Sequence, residues 1–318
     1  MLRLSSLVAL VALGLSGLTA PPVSANGDLT VCLPRNAGVI AGRRLTGGSG
    51  FDFRMSEAVA ARLGQSLTVV WYENELEEES DPLMETYAML SYRLCDLVPG
   101  HPRYVGAVGT PSFARASLPR WLGMPRDVDP LTGLLKDRLA GYVDVAPIAV
   151  SAGYMRSEIG LVYREGTPEP TGLNDTGGRA LAVQQGVLSG AIAMLQSTPE
   201  VRAKITTHNP GPGFLWDVES GGGDLAIIDV PAFDTHMAAN PFSALRLAAW
   251  RHGFGMDLGF AALAENQALL DEVSEALEAL VTSGEAAALA GEEGLTYAPP
   301  RDEALAPPLT RASLLALQ

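Results

Sequence analysis

The residues able to do chemistry in this 318-residue chain are scattered rather than grouped. Four histidines, His101, His208, His236 and His252, stand far apart without metal-ligand spacing, so no metal site is expected. There is no Gly-x-Ser-x-Gly elbow, no His-Glu-x-x-His pair, no phosphate-binding loop and no Cys-x-x-Cys. The glycine-rich stretches Gly47–Gly50 and Pro210–Gly213 read as turns, since neither joins a strand to a helix with nucleotide-loop spacing. What remains is a set of single polar groups where strands are expected to end: Asn36, His101, Ser189 and Asp229. Such groups suit binding, which needs only a shaped cleft and a few convergent polar side chains. His101 reads as a cleft-lining group rather than a base. No cofactor is expected.

These groups must be positioned by alternating strands and helices. Leu29–Pro34 is a short apolar strand, and Phe51, Met55 and Val59 recur at i, i+4 and i+8 in a helix closed by Leu63-Gly64. A second strand, Leu67–Tyr72, follows. A second helical run leads into a third strand, Arg93–Val98, which Pro99-Gly100 should stop. This β-α-β-α-β order predicts a parallel sheet with helices on its faces. Ligands of such sheets sit beyond the carboxyl ends of the strands, which directs attention to Pro34–Asn36 and Pro99–Tyr104. Further on, Ala180–Gln184 reads as a strand, and Gly186-Val187-Leu188-Ser189 as the turn into a helix, whose free N–H groups could hold an anion. Leu225–Ile228 is a buried strand ending in Asp229, which could meet a ligand or cap the next helix. Leu269, Leu270, Val273, Leu277 and Leu280 give Glu265–Thr282 one apolar face, with Gly284 as its C-cap.

The first seventy residues of this pattern resemble the periplasmic solute-binding proteins of the polar amino-acid type, family 3. The resemblance is carried by the ligand-loop strand, Gly50-Phe51-Asp52 with its helix, Leu63-Gly64, the Leu67–Tyr72 strand and Cys95-Asp96-Leu97-Val98-Pro99-Gly100. Within that family, Val31-Cys32 with Cys95-Asp96-Leu97-Val98, and Trp71-Tyr72, are most similar to the binding-protein-like factors associated with quinoprotein (PQQ) dehydrogenases. The resemblance implies a two-lobed α/β type II periplasmic-binding-protein fold. Each lobe would be a mostly parallel sheet flanked by helices, and the chain would cross twice, near Gly153 and near Asn240. Lobe 1 would then comprise 26–152 and 241–298, with an insertion at about 106–142; lobe 2 would be 153–240, and 299–318 a loosely packed or mobile tail. Ala149–Arg156 is similar to the family's first crossing segment, with Gly153 in place of proline, which brings Tyr154 to the cleft. Gly186, Val187 and Ser189 match the second-lobe ligand loop, and Asp229 the acid that receives a ligand amine. The arginine clamp of the amino-acid binders, set in Thr-x-Glu-Arg, has no counterpart, although the insertion carries Arg115, Arg120 and Arg126.

Composition narrows the function. Asp and Glu number 36 against 22 Lys and Arg, for a net charge of −14, with only two lysines and no basic cluster. Such a chain repels nucleic acid and anionic lipid. Arg3, the apolar run Leu7–Leu13 and Val23-Ser24-Ala25 read as an export signal cleaved after Ala25, too short to span a bilayer. A periplasmic monomer with no membrane span in its mature chain is expected. Two cysteines in an exported chain suggest one disulfide, and in the assumed topology Cys32 and Cys95 lie on neighbouring strands. The alternative is two buried thiols. The acidic run Glu73–Asp81 is either a solvated helix approach or a surface for a basic partner or a weak calcium site. Three functions follow from the resemblance. The first is capture of a small polar solute for an ABC transporter permease. The second is docking as an accessory factor on a periplasmic quinoprotein dehydrogenase. The third is a cyclohexadienyl dehydratase-like activity.

Overall fold

The computed structural model describes residues 27–73, 81–128, 132, 135–137, 142–211, 213–301, 304–308 and 310–315. The expected export signal, most of the acidic run and parts of the insertion lie outside the described residues.

The strand Asp28–Pro34 pairs in parallel with Ser66–Tyr72, Leu29 opposite Leu67 and Pro34 opposite Tyr72. The helix Phe51–Arg62 joins them. Its entry is fixed by Gly50, at φ 93°, where a Cβ would stand 2.6 Å from the carbonyl of Ile40. Phe51, Met55 and Val59 are fully buried, as their spacing requires. At the other end Gly64, at φ 66°, lets its own N–H reach Ala61 O and that of Gln65 reach Ala60 O.

A third segment adds to the same sheet through a parallel Val31–Leu97 bridge, with Cys32 N donating to Leu97 O over 3.0 Å. The strand does not stop at Pro99-Gly100: Val98–Pro102 is extended and pairs antiparallel with Leu245–Leu263. Gly100, at φ 74°, and a register shift between Gly259 and Ala261 absorb the irregularity. Cys32 and Cys95 form a disulfide with Cα atoms 5.6 Å apart. The insertion is partly sheet. Arg115–Ser117 pairs with Tyr142–Asp144, and Arg126–Val128 with Leu135–Asp137. Trp121 bridges Tyr72, so the insertion covers an edge whose backbone groups would otherwise lack protein partners.

Two long strands, Met155–Arg164 and Leu245–Leu263, lie antiparallel from Met155 opposite Leu258 to Arg164 opposite Leu245. The second runs unbroken for 19 residues, and its extra residues between Leu247 and Gly255 bulge against Glu158–Val162 of its partner. Gly153 and Asn240, the expected crossing points, precede these two strands. Beyond them Leu181–Gln184 lies parallel between Ile205–His208 and Leu225–Asp229. The result is a two-lobed α/β architecture, with parallel strands at each end and the antiparallel long pair between. One core gathers Leu29, Val31, Phe51, Met55, Phe260, Val273 and Leu277; another gathers Ile159, Leu161, Leu181, Val183, Ile192 and Ile227.

The C-terminal tail is not loose. Ala298 O accepts from Arg156 N, and Ala306 exchanges backbone bonds with Arg103 and Val105. The short helix Arg311–Leu315 buries Leu314 in the second core. Extended, proline-rich backbone with free donors and acceptors lies readily along exposed strand ends, and Leu314 supplies an apolar anchor. Among the described residues no helix is long and apolar enough to cross a membrane.

Candidate functional site

Leu181–Gln184 and Leu225–Asp229 are adjacent parallel strands, and each is followed by a helix. The first helix, Leu188–Gln196, has Val187 at its N-cap and no side-chain cap. A valine side chain cannot accept from the first-turn N–H groups, so no cap side chain serves these donors. Gly186 takes the left-handed turn at φ 73°. Ser189 is 0 % exposed, and its Oγ has no hydrogen-bond partner. The second helix, Val230–Ala239, has Asp229 at its N-cap position, yet the Asp229 side chain makes no cap hydrogen bond. Asp229 is half-buried, and loss of solvent pushes its carboxyl up to about 6.

The loop carrying Asn36 meets this second helix. Asn36 is exposed and bridges Gly42 through the backbone. Two residues on, Gly38 sits so close to Thr235 that a Cβ would lie 2.2 Å from its Cγ2. The loop carrying Asn36 and the helix that follows Asp229 are therefore in contact.

The other two predicted groups are turned inward. Tyr154 is 0 % exposed, packs against Phe51 and Phe260, and donates its hydroxyl to Asp52 Oδ1 over 2.5 Å. His101 is 2 % exposed, with Nε2 2.8 Å from Ala107 O. A carbonyl only accepts, so Nε2 carries the proton, and burial pushes the imidazole down to about 4. No side-chain hydrogen bond joins any two of Asn36, His101, Tyr154, Gly186, Val187, Ser189 and Asp229.

Asp52 is the group that residue-type reasoning passed over. It sits in a helix first turn, where a carboxylate ordinarily serves the dipole at the surface. Here it is buried, and desolvation outweighs the Tyr154 hydrogen bond, raising it to about 7. A carboxyl whose folded pKa exceeds its unfolded value binds more protons when folded, so its contribution is full below about pH 4 and is lost as pH rises through about 7. Asp52→Asn should therefore flatten the fall in stability across that window; an unchanged slope in urea titrations at pH 4 to 8 would refute the assignment.

Among the described residues, clefts open elsewhere. One of about 500 Å³ is lined by Arg103, Gly153, Glu278, Pro300 and Arg301 beside the crossing strands. The other, about 320 Å³, lies at the carboxyl ends of Asp28–Pro34 and Ser66–Tyr72, lined by Arg35, Glu73, Arg120, Trp121, Met124 and Arg126.

No protein-family model and no curated protein matches the sequence. Solved structures do resemble it in fold. The L-cystine solute receptor of Neisseria gonorrhoeae, in its unliganded open conformation, superposes with a TM-score of 0.55 at 16% identity, covering 85% of this chain and 94% of that one. A histidine kinase sensor domain with similarity to periplasmic binding proteins gives 0.54 at 16% identity, covering 86% and 98%. The chain therefore has the fold of the periplasmic binding proteins.

Proposed function

We propose that this chain is an exported solute-binding protein. It would hold a small polar solute where the loop carrying Asn36 faces Gly186–Ser189 and Asp229, and deliver it to an ABC transporter permease. One observation carries the reading: two adjacent parallel strands end side by side in helices that no side chain caps. One end offers N–H donors that no side chain caps beside a buried Ser189 hydroxyl without a partner among the described residues; the other offers the desolvated Asp229 carboxylate. Donors for an acceptor stand beside an acceptor for a cationic donor. This pairing suits a ligand bearing an amine together with a polar or anionic group. Such a ligand closes two lobes by hinge motion.

A thermal-shift screen of amino acids, amines and small organic acids tests this. A ligand at 100 times its Kd should add about 2.7 kcal/mol, and Asp229→Ala should abolish the shift. Binding of a cationic amine should strengthen as pH rises through about 6, where Asp229 becomes charged. A shift that survives Asp229→Ala would overturn the site.

The second reading is the accessory factor of a periplasmic quinoprotein dehydrogenase. It is favoured by the tail, which bonds to Asp257 of a long strand, to Arg103 and Val105 and to Gln196, and so restrains the hinge that capture requires. Absence of any thermal shift, with a dehydrogenase co-purifying, would select it.

A further inference from the structure

We infer that the insertion builds a second ligand site on the first lobe, one that takes a small organic anion with an apolar or aromatic body. The cleft of about 320 Å³ is at the lower end of the size range of small-molecule sites. Its walls are tied down by backbone bonds from three segments. Arg35 N donates to Tyr72 O at 2.9 Å, Glu73 N to Arg120 O at 2.7 Å, and Leu122 N to Trp71 O at 2.8 Å. Arg120 to Leu122 are thereby held against the carboxyl end of Ser66–Tyr72 through the Tyr72–Trp121 bridge.

Chemistry follows from the lining. Three guanidiniums, of Arg35, Arg120 and Arg126, meet one described carboxylate, that of Glu73. In a chain with 36 acidic and 22 basic residues, three arginines around one small cleft run against the average. Arg35 is ion-paired with Glu73, and Arg120 and Arg126 have other contacts within the protein. Each guanidinium carries five N–H donors, however, so a protein partner does not exhaust it. Planar forks of this kind match a carboxylate bidentately. Trp121, whose ring lies 6.0 Å from that of Tyr92, and the buried Met124 supply the apolar wall. No described lining residue comes from the long strands or from beyond them, so this site fills without hinge closure and independently of the site proposed at Asp229.

The test is calorimetric titration of the mature chain with benzoate, acetate and inorganic phosphate as probes. Benzoate should bind one saturable site. The Arg120→Gln/Arg126→Gln variant should weaken it at least about tenfold, while Glu73→Gln, which removes the competing carboxylate, should tighten it. The glutamine variants keep a polar side chain at the exposed positions 120 and 126, and circular dichroism checks their folding. Absence of saturable benzoate binding, unchanged affinity in the double variant, or acetate or phosphate binding as tightly as benzoate would each overturn the proposal.

Discussion

Replacing Asp257 by alanine is expected to destabilise the chain by about 3–5 kcal/mol, the cost of leaving one partner of a buried ion pair behind. Arg156 and Asp257 are register partners on the two long strands. Their side chains are 8% and 4% exposed, and Arg156 Nη1 donates to Asp257 Oδ1 at 2.8 Å. The second carboxylate oxygen accepts from the backbone of Arg301 at 2.9 Å, and Arg156 N donates to Ala298 O. One pair thus joins both crossings and the tail. Loss of Asp257 removes the carboxylate facing a buried guanidinium and releases the Arg301 backbone together. Replacing both partners by apolar residues of similar size should recover much of the loss, since desolvation of the pair offsets most of its attraction. Urea unfolding measures this; a loss below about 1 kcal/mol, the range of exposed pairs, would show that the site is wetter than its burial implies.

The disulfide should have a comparable effect. Its cysteines are 63 residues apart, and closing a loop of that length removes unfolded-state entropy worth about 4 kcal/mol on the chain-entropy model. Both cysteines also sit in a buried cluster with Tyr72, Tyr87 and Leu90. Cys32→Ala/Cys95→Ala, or reductant on the unaltered chain, should lower the unfolding midpoint accordingly. The effect should be absent when reductant is added to the alanine variant. An equal midpoint with and without reductant in the unaltered chain would contradict the bond's stabilising role.

The two largest effects differ in how far the sequence foretells them. Cys32 and Cys95 are the only cysteines, and each sits at a recognisable strand, so sequence narrows the disulfide to one pair. Nothing marks Arg156 and Asp257 as partners. They lie 101 residues apart and meet only because two strands cross between the lobes with one particular register.

Local sequence determined what rests on short-range periodicity and strand-to-helix turns. Phe51, Met55 and Val59 define a buried helix face, Gly64 and Gly284 end their helices, and Asp229 closes an apolar strand. These depend on backbone geometry within one or two turns, which residue type controls directly. Tertiary structure alone decided which polar groups turn inward. Tyr154, expected in the cleft, gives its hydroxyl to Asp52, while Asp229 stands at a cap position it does not fill. It also decided that Trp121 pairs with Tyr72 and gathers Arg35, Arg120 and Arg126 around one cleft, and that the tail binds both lobes. Burial, register and pairing between distant segments set these outcomes, because a polar side chain is drawn to whichever partner the packed fold brings within reach once water is excluded.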